Sequence, residues 1–447
     1  MNWEKLMKPF RLGYPKKEIE YNPNRTEFQR DFDRIIFSTA FRRLNGKTQV
    51  FPFPETDMIH TRLTHSLETA SVGRSLGTII GDKILNNKNN DKLKFNSKEL
   101  GSVVSAACLA HDIGNPPLGH SGEKAIAEFF KTNRGEKIIK DLTYDQKLDF
   151  INFEGNAMGF HLLTYSNPKK TEVEGGKGLT YPTLAAFTKY PRSANISNQK
   201  EKASEKKFGL FQKDINKFKE IANELGIPKK KEGDKWYRHP LAFLTEVADD
   251  ICYGIMDLED GYKHGLISYD EISKLLINIC NIPEGKTNIR KRDNIKNKKE
   301  KIGYLRAKAI NSLVNQAVSV FLENEKDILS GNFDKSLIKL IAGNEIMSEI
   351  SDISNSKIYS HMSALQVEAA GFQVLPGLLD IFLYAIKDKG KESSKVILDI
   401  LPNEYIFDYE KEPYDAILSI VTYVAGMTDQ FAVDTYRNFK GIELPNY

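Results

Sequence analysis

The chemistry in this chain gathers where an apolar run, Val103 to Ala110, stops at adjacent His111 and Asp112. Gly114, Pro116, Pro117 and Gly119 then break the helical pattern, and His120 and Glu123 follow at once. A neighbouring imidazole and carboxylate offer one nitrogen and one oxygen ligand at a single corner, a donor set suited to a divalent cation. Taken alone, such a pair more often caps a helix and satisfies its orphan backbone groups. Further candidates therefore decide the matter. Arg62 and His65 are three residues apart and share a helix face, although a lone His65 reads first as a hydrogen-bonded core histidine. Asp249, Tyr253 and Asp257 recur at i, i+4 and i+8 beside an apolar stripe, which fits a cavity wall or a solvated face. Arg42, Arg43 and Lys47 surround an Asn45-Gly46 turn and face either phosphate or water.

These side chains need elements to hold them. Phe28, Phe32, Ile35 and Phe37 predict a helix from Arg25, and His60 to Val72 predicts a second. A third runs over 97–112 with Ser97 as its cap, and Ser121 caps a fourth. Residues 141–165 read as helix. From 167 to 207 the chain is rich in Pro, Gly, Lys and Asn and reads as an insertion with a short helix near 183–187. His239-Pro240 opens a long helix. Val50-Phe51 fits a short strand, but strand signal is otherwise scarce, so the chain is expected to be mainly α. The expected division is an N-terminal arm (1–24), a core (25–270) and a helical C-terminal region (271–447) with a basic insertion at 286–301.

Composition narrows the setting. At 447 residues the chain exceeds one ordinary core, so appended segments or a second domain are expected. No run of about 18 apolar residues marks a spanning segment, and the N-terminus lacks a secretory pattern. The three cysteines have no CxxC spacing, which fits a reducing cytoplasm and no membrane. A net charge of +4 is too small to imply nucleic-acid binding. The eight basic residues between Lys286 and Lys301 read first as a solvated loop and second as a polyanion site.

The order His65, His111-Asp112 and a later Asp resembles the HD phosphohydrolase superfamily. Six stretches, including Arg30 to Ile35 with Phe41 to Leu44, Thr61 to Ser66, His111 to Glu123, Phe153 to Ala157, Asp249 to Tyr253 and Ala425 to Asp429, are similar to the bacterial dGTPase family over nearly the whole chain. The resemblance implies an all-α HD fold with an appended helical region, and hydrolysis of dGTP or other dNTPs to deoxynucleoside and inorganic triphosphate. It implies metal ligands His65, His111, Asp112 and Asp249. Asp249 is preferred to Asp250 because the family's metal Asp precedes a Tyr by four residues and an Asp by eight. Mn or Mg is the expected ion, with Fe, Co or Ni as alternatives. A homo-oligomer (tetramer or hexamer), a nucleotide effector and single-stranded DNA are the partners it suggests. Met158 and His161 depart from the family's Gln and Arg.

The implied chemistry assigns further roles. Arg62 and Lys47 would neutralise the triphosphate. His120 would protonate the departing 5′-oxygen, with Glu123 on its other nitrogen. Gln49 and Asp257 would approach the 3′-hydroxyl, Val50 and Tyr253 would pack near C2′, and Asn115 completes the substrate set. The alternatives are an HD phosphomonoesterase or phosphodiesterase and a single-stranded-nucleic-acid-binding regulatory protein.

Overall fold

The computed structural model describes residues 1–16, 22, 24–49, 60–86, 93–169, 175–195 and 202–443. Among the described residues the only extended pairing is a few isolated bridges, and the rest of the regular structure is helical. Val50, and with it the strand expected at Val50-Phe51, lies outside the described residues.

Eleven helices position the site: α1 (Glu27–Ile36), α2 (Arg62–Leu85), α3 (Ser97–Ala110), α4 (Gly119–Lys131), α5 (Gly155–Thr164), α6 (Tyr181–Phe187), α7 (Pro240–Lys263), α8 (Lys298–Glu323), α9 (Met362–Lys387), α10 (Pro413–Ala425) and α11 (Asp429–Phe439). Local chemistry sets their starts. Thr61 caps α2 by accepting from the Thr64 N–H. The cap of α3 is Asn96 rather than the expected Ser97, because Asn96 and Glu99 form a reciprocal capping box. Ser121 does not cap α4 either. That helix begins at Gly119, after Leu118 in the left-handed region, and the Ser121 hydroxyl donates to the Leu118 carbonyl. The expected 141–165 helix is two, Tyr144–Ile151 and α5.

Two apolar cores result. Phe28 and Ile35 of α1, Leu76 and Ile80 of α2, Val103 and Val104 of α3, Leu184 of α6, Leu244 and Val247 of α7 and Leu305 of α8 belong to the first. Ile126 and Phe130 of α4, Leu375, Leu379 and Phe382 of α9, and Ile417 and Val421 of α10 belong to the second. Helix α5 serves both, sending Ala157 and Met158 to the second and Phe160 and Leu163 to the first. The turn 111–118 therefore sits where the cores meet. Helix α9 is long and apolar enough to cross a membrane by length and composition; most of its apolar residues from Val374 onward, including Leu375, Leu378, Leu379 and Phe382, are buried in the second core.

The N-terminal residues are less of an arm than the sequence suggests. Trp3 and Leu6 are buried in a short helix, and Arg11 pairs with Asp31 at 2.6 Å and Glu27 at 2.6 Å. Asp31 also accepts the Thr180 hydroxyl at 2.5 Å, so the pair ties the chain start to α1 and to the entry of α6.

Close backbone approach fixes the central turn. A Cβ on Gly114 would lie 1.9 Å from the Gly155 carbonyl oxygen and 2.1 Å from the Gly159 nitrogen, so α5 can lie on the turn only because residue 114 has no side chain. Gly114→Ala is expected to lower stability by about 1–3 kcal/mol through overpacking. Gly303→Ala, in α8 with nothing within 4 Å of the new Cβ, is expected to be neutral or to add up to about 1 kcal/mol. Denaturant midpoints of the two variants check the contrast.

Candidate active site

His111 is the C-cap of α3, so its imidazole and the Asp112 carboxylate emerge where the helix ends. The His111 Nδ1 lies 2.6 Å from the Cys108 carbonyl, which takes up Nδ1–H and leaves Nε2 turned inward and free to serve as a ligand atom. Nε2 of His111 is 3.3 Å and Nε2 of His65 3.2 Å from Oδ1 of Asp249 on α7. One ligand atom from each of these three residues lies within 4.8 Å of the others. Asp112 Oδ1, 3.5 Å from His111 Nε2, accepts from Arg62 at 2.9 Å and from the Asn115 amide at 2.5 Å. Its other oxygen, Oδ2, is buried without a partner. Two imidazole nitrogens, a convergent carboxylate and an orphaned buried carboxylate oxygen fit a hard-to-borderline divalent cation.

Cations stabilise these acids. Burial alone would raise the pKa of Asp249; Lys189, 2.5 Å from its Oδ2, and then His111 hold it well below the usual range. Burial likewise opposes ionisation of Asp112, and the Arg62 guanidinium with His111 and His65 keeps its pKa low. Burial lowers the pKa of His111, but Asp112 and Asp249 outweigh it and raise the value. The adjacent Asp250 behaves otherwise. Burial, then the charges of Glu246 and Asp249, push it up to about 7, and its carboxyl meets the Ser336 hydroxyl at 3.3 Å.

A cavity of about 670 Å³ opens over this cluster. Gln49, Arg62, His111, Asp112, Asn115, His120, Glu123, Asp249 and Tyr253 line it. His65 lies below, with its side chain 2% exposed. His120 stands in the cavity with its side chain 72% exposed, and its Nδ1 is 2.8 Å from Oε2 of the buried Glu123. Gln49 brings a buried Oε1 that has no partner among the described residues.

Two expected contacts are displaced. Lys47 does not line the cavity. Its ammonium donates to the Asn115 carbonyl at 2.5 Å and the Ala425 carbonyl at 2.7 Å, and Arg43 donates to the Gly426 carbonyl at 3.1 Å. Both cations therefore cap the C-terminal end of α10, where orphan carbonyls attract positive charge. Asp257 is set behind the wall and accepts the Tyr359 hydroxyl at 2.5 Å. Tyr359, whose ring stacks on Tyr253 with centroids 6.0 Å apart, lines the cavity in its place.

Lys189, Tyr190, Lys207, Asn156 and Asn355 also line it, and the sequence reading misses them. Lys189-Tyr190-Pro191 sits in the stretch read as an insertion, and nothing in its spacing separates it from the lysines around it. Tyr359 ends a π-helical segment, Ser354–Tyr359, a form often found at functional positions but with no periodic signature. His161 and Met158 are away from the cavity: Met158 is core, and His161 is buried against Asp214 at 2.9 Å.

Comparison with known proteins bears on the family. The sequence model of the HD domain matches residues 62–174, which spans His65, His111-Asp112 and the His120/Glu123 pair. A Synechocystis protein named deoxyguanosinetriphosphate triphosphohydrolase-like is 40% identical over 99% of this chain and 100% of its own length. A Listeria monocytogenes protein of the same name is 31% identical over 99% and 100%. The Salmonella typhimurium protein named deoxyguanosinetriphosphate triphosphohydrolase is 28% identical over 93% and 94%. HD domains are metal-dependent hydrolases, and full-length likeness at these identities leaves one assignment: the chain belongs to the deoxyguanosinetriphosphate triphosphohydrolase-like family of HD-domain phosphohydrolases.

Proposed function

We propose that the chain hydrolyses deoxynucleoside triphosphates, dGTP first among them, to the deoxynucleoside and inorganic triphosphate. The observation that carries this reading is one cavity in which a cation donor set and a solvent-facing His120, paired to a buried Glu123, share a wall. His65, His111, Asp112 and Asp249 would hold the ion, Mn or Mg first and Fe, Co or Ni as alternatives. When bound there, a divalent cation supplies Lewis acidity toward a phosphoryl oxygen and acidifies water.

The protein's own groups do the rest. Arg62 and Lys189, anchored by Asp112 and Asp249, keep positive charge on the wall that meets the triphosphate. A bond forms between the water oxygen and the α-phosphorus, and the bond from phosphorus to the 5′-oxygen breaks. His120 gives the Nε2 proton to that oxygen, because an alkoxide leaves poorly at neutral pH. Glu123 holds Nδ1 and stabilises the imidazolium. The proton lost by the water departs through solvent, and His120 is reprotonated.

Sugar selection falls to the far wall. The orphaned Oε1 of Gln49 is suited to accept a hydrogen bond from the 3′-hydroxyl, and Tyr253 with Tyr359 forms a flat surface for the deoxyribose, stiffened by Asp257. Asn115 keeps Asp112 aligned. A homo-oligomer, tetramer or hexamer, and a nucleotide effector belong to the same reading. Met362 and Leu365, exposed on α9 near the cavity residues Ala364 and Val367, support assembly.

Three outcomes test it. With Mn²⁺, dGTP alone or dNTP mixtures should give deoxynucleoside and tripolyphosphate in equal amounts; release of monophosphate or pyrophosphate instead, by chromatography, would point to a phosphomonoesterase or phosphodiesterase. His120→Ala should lose about 10²–10⁴ in kcat and keep Mn²⁺ and dNTP binding by calorimetry; unchanged turnover removes its role. GTP and dideoxy-GTP should both be poor substrates in competition assays, since buried polar groups built for one hydroxyl discriminate strongly.

A further inference from the structure

Behind His120 the structure holds a row of alternating charges drawn from three stretches of chain. Glu123 accepts the Gly155 N–H on Oε1 at 2.7 Å and faces both His120 Nδ1, at 2.8 Å, and Lys207 Nζ, at 3.6 Å, with Oε2. Lys207 in turn donates to Glu154 Oε2 at 3.0 Å. Glu154 is the N-cap residue of α5 but its side chain makes no cap hydrogen bond; it turns to Lys207 instead. Lys207 thus stands between two carboxylates, and one of them also holds the imidazole.

The two carboxylates differ in character. Burial works against ionisation of Glu123, but the His120 hydrogen bond and the Lys207 charge bring it down to about 2. At Glu154, burial and the charge of Glu123 outweigh Lys207 and push it up to about 7. Other polar groups face the row. Arg62 acts on Glu123 from α2, Tyr190 lies beside Lys207, and Asn156 and Arg192 face Glu154. Lys124, one turn after His120, pairs with Glu368 at 3.8 Å on the cavity rim.

We infer that Lys207 and Glu154 are positioning residues that set how firmly the His120–Glu123 pair holds its proton, with Lys207 competing against His120 for Glu123 and Glu154 drawing Lys207 away. The inference rests on the proposed role of His120 as proton donor. Lys207 also lines the cavity, so its effect through Glu123 has to be read on the imidazole itself, in the absence of substrate. Opposite substitutions must then act with opposite signs. Removing the Lys207 cation strengthens the hold of Glu123 on the imidazolium, whereas removing the Glu154 anion leaves Lys207 wholly to Glu123 and weakens it.

The test is a His120 titration followed by NMR on ¹³C-histidine-labelled full-length protein without substrate, assigned by the loss of its signal in His120→Ala, alongside kcat against pH. Lys207→Met should move the His120 midpoint and the alkaline limb of kcat up, and Glu154→Gln should move both down, each by about 0.5–1 pH unit, the scale set by one charge at close range in a partly solvated site. Lys207→Arg should restore the wild-type midpoint. Midpoints that stay put, or that move in the same direction, overturn the inference, even if kcat falls. If Lys207→Met does not fold, the sign for Glu154→Gln alone decides. Because the NMR midpoint needs no turnover, its failure is separate from failure of the product assay, which bears only on the reaction.

Discussion

Everything at the centre of this protein follows from holding the buried Asp112 and the partly buried Asp249 ionised where little water reaches them. Removing a carboxylate from solvent costs several kcal/mol even after relaxation, and an unpaired one would neutralise instead. Arg62 and Lys189 prevent that, at 2.9 Å and 2.5 Å. An opposite charge at about 4 Å recovers roughly 4 kcal/mol at an effective dielectric of 20, so each pair offsets its burial only if its geometry is fixed. The fold supplies that rigidity. Asp112 follows the end of α3, Asp249 lies in α7, Arg62 opens α2, and Lys189 comes from the segment after α6. Asp250 shows the alternative outcome: with Ser336 as its hydrogen-bond partner and Glu246 as a like-charged neighbour, it drifts up to about 7.

The sequence discloses the parts of the site that ride on helix ends. The abrupt stop at His111-Asp112, the Arg62/His65 face and the i, i+4, i+8 strip on α7 are periodic signals, and their order identifies the family. The all-α class is equally legible, since amphipathic patterns dominate and strand patterns are rare. What escapes is set by tertiary placement alone. Lys47 and Lys189 are both lysines in irregular segments, yet one caps the carbonyls ending α10, far along the chain, while the other neutralises Asp249. No local pattern distinguishes those fates. Tyr359 escapes for a different reason: a π-helical turn shifts it by one position from the face an α-helix would give it.

The organisation of the cores also departs from chain order. Helices α9 and α10 pack with α4 and with residues near 150, so the C-terminal part of the chain is built into the same body as the His120/Glu123 pair. Its most specific contribution is Asp429 at the start of α11. That buried carboxylate accepts the Leu118 N–H at 2.9 Å on one oxygen, and the Thr48 N–H at 2.9 Å and hydroxyl at 2.7 Å on the other. Leu118 is the only non-glycine residue with positive φ among the described residues, at 63°. A leucine there is strained by roughly 1–3 kcal/mol and persists only where its surroundings over-determine it.

That clasp has a temporal meaning. Chains emerge from the ribosome N-terminus first, and domains fold as their parts become available. The helices bearing His65, His111, Asp112 and Asp249 can appear and begin to pack well before residue 429 exists. Until it does, the Leu118 N–H and Thr48 lack the carboxylate that joins them, and the turn leading into α4 keeps only its local hydrogen bonds, such as that from the Ser121 hydroxyl to the Leu118 carbonyl. A chain that has not yet reached residue 429 therefore carries His65, His111, Asp112 and Asp249 without the carboxylate that anchors the turn before His120.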